Sequence, residues 1–235
     1  MRGVIFQSLT DALRSLFPSS ISVASLPIVD PIPKGFPEEE ICIEGVNDLR
    51  KREFRAGRMC AHRALSALGA DSGPIIASEN RGPIWPDGII GSISHTRKHC
   101  IAAVAETKVV SSIGLDMELY QRMKPHLWRL VLTGGEYDAL SALKDEQEKV
   151  LLAALIFSAK EAFYKYQYPL TQVWLGFQDA EVVISPETST FSLKVLNDVE
   201  PFGASGTIIQ GRYACYADYV LSGLFSSSNK KAPKS

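Results

Sequence analysis

The sequence predicts an α+β chain in two similar halves that meet near its third strand-like run, "VVSSIGLDMEL". Three observations predict it. Two long helical patterns stand far apart, at 47–69 and 146–168. Short strand-like runs cluster after each of them. Hydrophobic residues make up 46% of the 235 and charged residues 22%, the balance of a globular protein with a real core. The expected division is an N-terminal half over 1–110, a C-terminal half over 111–225 and a disordered tail over 226–235.

The elements follow in chain order. The opening "MRGVIFQSLTDALRSLF" is broken by polar residues every few positions and lacks the apolar core of a signal peptide. "SISVASLPIV" alternates like one strand, and the prolines after it mark an extended connection through residue 40. In "NDLRKREFRAGRMCAHRALSALG", Ala56, Cys60, Ala64 and Leu68 recur every fourth residue. That spacing predicts an amphipathic helix, with Asn47 or Asp48 as N-cap and Gly69 as C-cap. Ile89–Ile93 and Cys100–Ala105 read as two strands joined by a short polar loop, and "VVSSIGLDMEL" as a third. Helices return in "GGEYDALSAL" and in "EQEKVLLAALIFSAKEAFYKYQY", the latter ended by Pro169. Its buried stripe should be Leu152, Leu155, Ile156, Ala159, Phe163 and Tyr166. "LGFQDAEVVI", "TFSLKVLND" and "ASGTIIQGRYACYADYVLSGLF" supply the strands of a second sheet.

Charge and cysteine content narrow the function. The net charge is -1, which argues against a nucleic-acid partner, because such proteins carry a basic footprint. No apolar run reaches the roughly 20 residues a membrane span needs. The four cysteines form no C-x-x-C pair, so reduced, buried thiols in a cytoplasmic protein are expected.

Four segments carry chemistry. In "SSIGLDMEL", Asp116 and Glu118 lie two apart, so a strand presents both on one face, with Cα atoms roughly 6.5 Å apart. A solvated face tolerates such a pair; a divalent cation such as Mg²⁺ makes it useful, because hard cations take carboxylates together with substrate phosphates. In "FSAKEAFYK", Glu161 and Lys165 are four apart on a helix. They are either a surface ion pair or a base and a phosphate contact. "GSISHT" ends a strand with Ser94 and His95, a hydroxyl and an imidazole that are either structural or a phosphate hold. The helix at 47–69 carries Arg50, Lys51, Arg52, Arg55, Arg58 and Arg63, and "NRGPIWP" follows it. Six cations are either a solvated face or an anion site. Arg50 and Arg58 stand about 80° apart around the axis, so both can reach one ligand.

Taken together and in order, these segments resemble the Sfp-type 4'-phosphopantetheinyl transferases, most closely their enterobactin-synthetase-component-D-like branch. The resemblance rests on "RGPIWPDGIIGSISHT", "GLDME", "FSAKEAFYK" and "YPLTQVWLGF", and spans about residues 47–180. It implies two α+β halves related by a pseudo-twofold, coenzyme A in the cleft between them, and a monomer. The implied activity is transfer of the 4'-phosphopantetheine arm of coenzyme A to a serine of an apo acyl or peptidyl carrier protein, releasing 3',5'-ADP. Mg²⁺, or Mn²⁺ in its place, is the implied metal, held by Asp116, Glu118 and Glu161. Glu161 would also act as base, and Lys165 would neutralise phosphate. Arg50, Arg58, Asn80, Arg81, Gly82, Pro83, Ser94, His95, Lys165 and Leu175 are the implied coenzyme A contacts. The carriers could belong to peptide (siderophore), polyketide or fatty-acid synthases. Two other readings use the same residues: a Mg²⁺-dependent phosphohydrolase, and a non-catalytic coenzyme A-binding module.

Overall fold

The computed structural model describes residues 6–70, 73–200, 202 and 206–228. Its elements run α1 (Leu9–Arg14), β1 (Ser22–Pro27), α2 (Pro37–Ile41), α3 (Asp48–Leu68), β2 (Ile89–His95), β3 (His99–Glu106), β4 (Val110–Leu119), α4 (Pro125–Val131), α5 (Gly134–Ser141), α6 (Glu146–Thr171), β5 (Ala180–Ser185), β6 (Thr190–Val195), β7 (Ile208–Tyr216) and β8 (Tyr219–Ser227). The chain divides into two compact units. One holds Pro18–Ile113 and the chain from Ser226 on; the other holds the chain through Phe17 and Gly114–Phe225.

In the 18–113 unit, β1, β3 and β2 form an antiparallel sheet with β3 in the middle. A short turn sets the β2–β3 register, pairing His95 with Cys100. Helix α3 packs on β1 and β3. Ala56, Cys60, Ala61, Ala64 and Leu65 face the sheet and are fully buried. Both predicted caps form. Asn47 Oδ1 accepts the Arg50 amide, and Gly69 takes the left-handed conformation that glycine favours at φ 77°.

In the other unit, β5, β6, β7 and β8 form an antiparallel meander with β4 beside β8. Helix α6 packs on β5 and β7. The core gathers Leu155, Ala159, Phe163, Phe191, Leu193 and Leu224. Helix α1 packs on β7 of this unit, and Phe17 meets Phe225 edge-on, although they come from opposite ends of the chain.

Several elements differ from the sequence expectation, each for a physical reason. Pro169 does not end α6, which continues to Thr171. Proline removes one amide donor, but so near the C-terminus only one helical bond is lost. Leu152 is only half-buried, while Ala153, Ala154, Ser158 and Lys160 are buried. The helix is covered on more than one side, so a single stripe underestimates its contacts. Helices α2 and α4 are additions. Both start at a proline, whose fixed φ suits the first helical turn as well as an extended connection. The strand expected from Leu175 begins at Ala180, after a 3-10 turn at Phe177–Asp179. Ser226 and Ser227 belong to β8 rather than to a tail, and 229–235 lie outside the described residues. All four cysteines are free thiols; Cys60 and Cys100 are buried, Cys42 and Cys215 half-buried. Among the described residues no helix is long and apolar enough to cross a membrane.

Candidate active site

Strand β4 supplies the first site residues. Its alternation does put Asp116 and Glu118 on one face, but that face is not solvated. Asp116 is 3% exposed, and Leu115 and Met117 on the other face are fully buried. Helix α6 covers the Asp116 face. Gly114 permits this: a Cβ there would lie 2.7 Å from Tyr166 Cβ and in collision with the Ala162 carbonyl oxygen. The helix backbone therefore runs hard against the strand, which brings "GLDME" and "FSAKEAFYK" together.

The contact that results is Lys165 Nζ to Asp116 Oδ1 at 2.7 Å. Lys165 thus pairs across the elements rather than forming the i,i+4 surface pair with Glu161. Burial, and then the charge of Asp116, push the Glu118 carboxyl up to about 7. Lys165 and Arg122 oppose the rise and Glu161 adds to it. Glu161 is raised by the same burial and the same Asp116 charge. Three carboxylates therefore crowd one neighbourhood with one close lysine. All the donors are hard oxygens, the set that suits Mg²⁺ or a similar cation. Among the described residues no three such side chains stand in a ready ligating arrangement, so oxygens from outside the chain would have to complete any shell.

The residue before Glu161 carries no spacing signal, yet it is a buried cation with three acceptors. Lys160 is 4% exposed. Its Nζ donates to Glu136 Oε2 at 2.7 Å, to Val131 O at 2.9 Å and to Phe177 O at 2.7 Å. Three donors meet three acceptors. Glu136 also accepts the amides of Thr133 and Val182, each at 2.7 Å. The node joins α4, α5, α6 and β5 and fixes the turn of α6 that carries Glu161. The sequence carries no signal for it, since Glu161 and Lys165 make this stretch of the helix look like a charged face.

Leu175 is 9% exposed and belongs to the core. Its neighbour Trp174 is 76% exposed and meets Tyr164 edge-on at 5.0 Å.

In the 18–113 unit, Arg50 and His95 come together, with Arg50 Nη1 3.4 Å from His95 Nε2. Arg50 also lies 3.5 Å from Glu53 and is 44% exposed, open to an anion. Ser94 precedes His95 on β2 and is buried. Arg58 differs from Arg50. It is 6% exposed, stacks over Phe54 at 4.3 Å, and its Nε donates to Ile75 O at 2.5 Å. Burial pulls its guanidinium down to about 10. Asn80 and Arg81 stand at the tip of a small hairpin, and Gly82 and Pro83 begin its returning arm. Ile84 N donates to Ile76 O at 2.9 Å, Ser78 N to Gly82 O at 2.8 Å and Arg81 N to Ser78 O at 2.8 Å. Arg81 sits at φ 64°, where non-glycine residues are uncommon. Asn80 and Arg81 are exposed there, while Gly82 and Pro83 are half-buried.

Comparison with known proteins gives concordant matches. Residues 38–105 match the 4'-phosphopantetheinyl transferase N-terminal domain, and residues 112–221 match the 4'-phosphopantetheinyl transferase superfamily. The chain is 34% identical to the 4'-phosphopantetheinyl transferase PptT of Mycobacterium tuberculosis over 200 residues, 80% of this chain and 84% of that one. It is 33% identical to the transferase Svp of Streptomyces mobaraensis over 183 residues, 78% and 72% of the two chains. Enterobactin synthase component D of Salmonella typhi is 32% identical over 162 residues, 65% and 66%.

Proposed function

The chain belongs to the 4'-phosphopantetheinyl transferase superfamily, and from that premise we propose how its residues move the 4'-phosphopantetheine arm of coenzyme A onto a carrier-protein serine. The observation that carries the reading is the 2.7 Å Lys165–Asp116 contact with Glu118 and Glu161 beside it. The Arg50–His95 pair and the Asn80–Pro83 hairpin suit the nucleotide phosphates of coenzyme A, since arginine and open backbone both favour phosphate. Asp116, Glu118 and Glu161 would hold Mg²⁺ or Mn²⁺. A cation bound there would supply neutralisation of diphosphate charge.

The carboxylates and Lys165 do the rest. Lys165, which neutralises Asp116, would also neutralise a phosphate oxygen. Glu161 takes the proton of the serine hydroxyl. Its raised affinity for protons brings it nearer to neutral pH, where a base works best. The serine oxygen bonds to the phosphorus that bears the pantetheine arm. The bond from that phosphorus to the bridging diphosphate oxygen breaks, and 3',5'-ADP leaves with the electron pair. No covalent enzyme intermediate is needed; position and charge suffice.

The test is incubation with coenzyme A, Mg²⁺ and a panel of apo-carriers from peptide, polyketide and fatty-acid synthases, read by intact mass. At least one carrier should gain the mass of one phosphopantetheine. Relatives that are enterobactin synthase components make peptide-synthetase carriers the first to try. A panel wholly unmodified at saturating coenzyme A would overturn the reading.

A further inference from the structure

Glu39 is a buried carboxylate that the transfer step does not use. It lies on α2 and is 1% exposed. Oε1 accepts from His62 Nε2 of α3 at 2.7 Å and from the Ile75 amide at 2.8 Å. Oε2 accepts from the Phe36 amide at 3.3 Å. Burial pushes this carboxyl up, but the bonds from His62 and Ile75 outweigh it and hold the group below the usual carboxylate range. The carboxylate is therefore ionised at neutral pH, deep in the 18–113 unit.

The other side of the same residue is gripped too. Ile75 O accepts from Arg58 Nε, and Arg58 Nη2 lies 3.5 Å from Ile76 O. Ile75 itself is fully buried. One residue thus has its amide on a buried carboxylate and its carbonyl on a buried guanidinium. Burying two charged groups is costly unless their bonds are complete. Loop amides are ordinarily satisfied by backbone or water, at no such cost.

The position of Ile75 explains the expense. It is the last residue before the hairpin 76–84, which carries Asn80–Pro83 at its tip and on its returning arm. The hairpin is laddered by its own backbone bonds, so its direction is set at its base. Cys42, at the end of α2, adds a third hold by accepting the Ala77 amide at Sγ, 3.4 Å away. We propose that Glu39 and His62 are positioning residues for coenzyme A, clamping Ile75 together with Arg58 so that Asn80–Pro83 are held where the nucleotide meets them. The proposal rests on the reading of that hairpin as a coenzyme A contact. It gives Arg58 the role of loop anchor beside the coenzyme A contact that the resemblance implies.

The main test is His62→Phe. The phenyl ring keeps the packing against Phe36, whose ring centre lies 5.2 Å from that of His62, and removes only the bond to Glu39. KM for coenzyme A should rise roughly tenfold, the size of one lost hydrogen bond to a charged group, with kcat within about twofold. Amide exchange should quicken over 75–84 and stay unchanged in α3. Glu39→Gln should act in the same direction. An unchanged KM beside quickened exchange would overturn the proposal, because the hairpin would be loosened without consequence for the ligand. A fall in kcat at unchanged KM would overturn it as well. Should either variant fail to fold, exchange in the unmodified protein decides: coenzyme A must slow 75–84, and no slowing refutes the clamp's purpose. Failure of the functional reading looks different. Calorimetry would then find no coenzyme A binding to the unmodified protein at all, whatever the exchange rates.

Discussion

The Glu118 carboxyl is pushed well above the usual carboxylate range, by burial first and by its neighbours second. Burial and the Asp116 charge lift its pKa from the usual 4.5 to about 7. Its ionisation is thus disfavoured in the folded protein. The contribution to stability is complete below about 4.5 and is lost as pH rises through about 7. Thermal unfolding without metal should therefore show Tm falling across that window, and Glu118→Gln should flatten the fall. Mg²⁺ should raise Tm more at the upper end of the window than at the lower, because ligation needs the ionised form. An equal rise at both ends would speak against a metal role for these acids. Glu161→Gln keeps size and removes the base. Coenzyme A should still bind by calorimetry, while carrier modification falls roughly 10²–10⁴-fold. Near-normal turnover would sink the proposed role. That Asp116 and Glu118 share one face of β4 was legible because the strand period is fixed by the backbone. That Lys165 turns to Asp116 was not, because a partner on another element depends on how closely the two pack.

Element packing here hangs on small numbers of atoms. Gly114 lets α6 touch β4, and its Cβ would strike backbone, which cannot swing aside. Gly114→Ala should cost at least about 1–3 kcal/mol in urea unfolding and reduce transfer, because it pushes Glu161 and Lys165 off the strand. Unchanged stability would mean that α6 is not anchored there. Lys160 is the second support. Lys160→Met leaves the Glu136 carboxylate buried without its cation and should cost roughly 3–5 kcal/mol. Adding Glu136→Gln should return part of that loss; strict additivity of the two costs would contradict the ion pair. Helix α3 was legible to both caps, because Asn47 and Gly69 carry their conformational preferences with them. Helices α2 and α4 were not, since proline begins helices and interrupts them with the same fixed φ. The Lys160–Glu136 node was illegible for a further reason: its partners are 24 residues apart and meet only through tertiary packing.

At the scale of the molecule, each unit sets a long helix on an antiparallel sheet, with α3 on one and α6 on the other. The two-part α+β organisation was visible because helix and strand patterns recur in the two parts of the chain. The grouping of α1 with the 114–225 strands was not, since residues 9–14 carry no signal of a partner two hundred positions away. Chemistry divides along with structure. The arginine and hairpin residues belong to one unit, the carboxylates and Lys165 to the other. In the proposed function the first set would take the nucleotide and the second the diphosphate that is cut. The central claim is that cutting is transfer and not hydrolysis. Product balance tests it most directly: an apo-carrier, coenzyme A and Mg²⁺ are incubated with the protein, and 3',5'-ADP is quantified against carrier mass gain. One 3',5'-ADP should appear for each phosphopantetheine gained, and none when the carrier serine is replaced by alanine. Release of 3',5'-ADP from coenzyme A with no carrier gain, undiminished by the alanine carrier, would contradict the account and make the protein a phosphohydrolase.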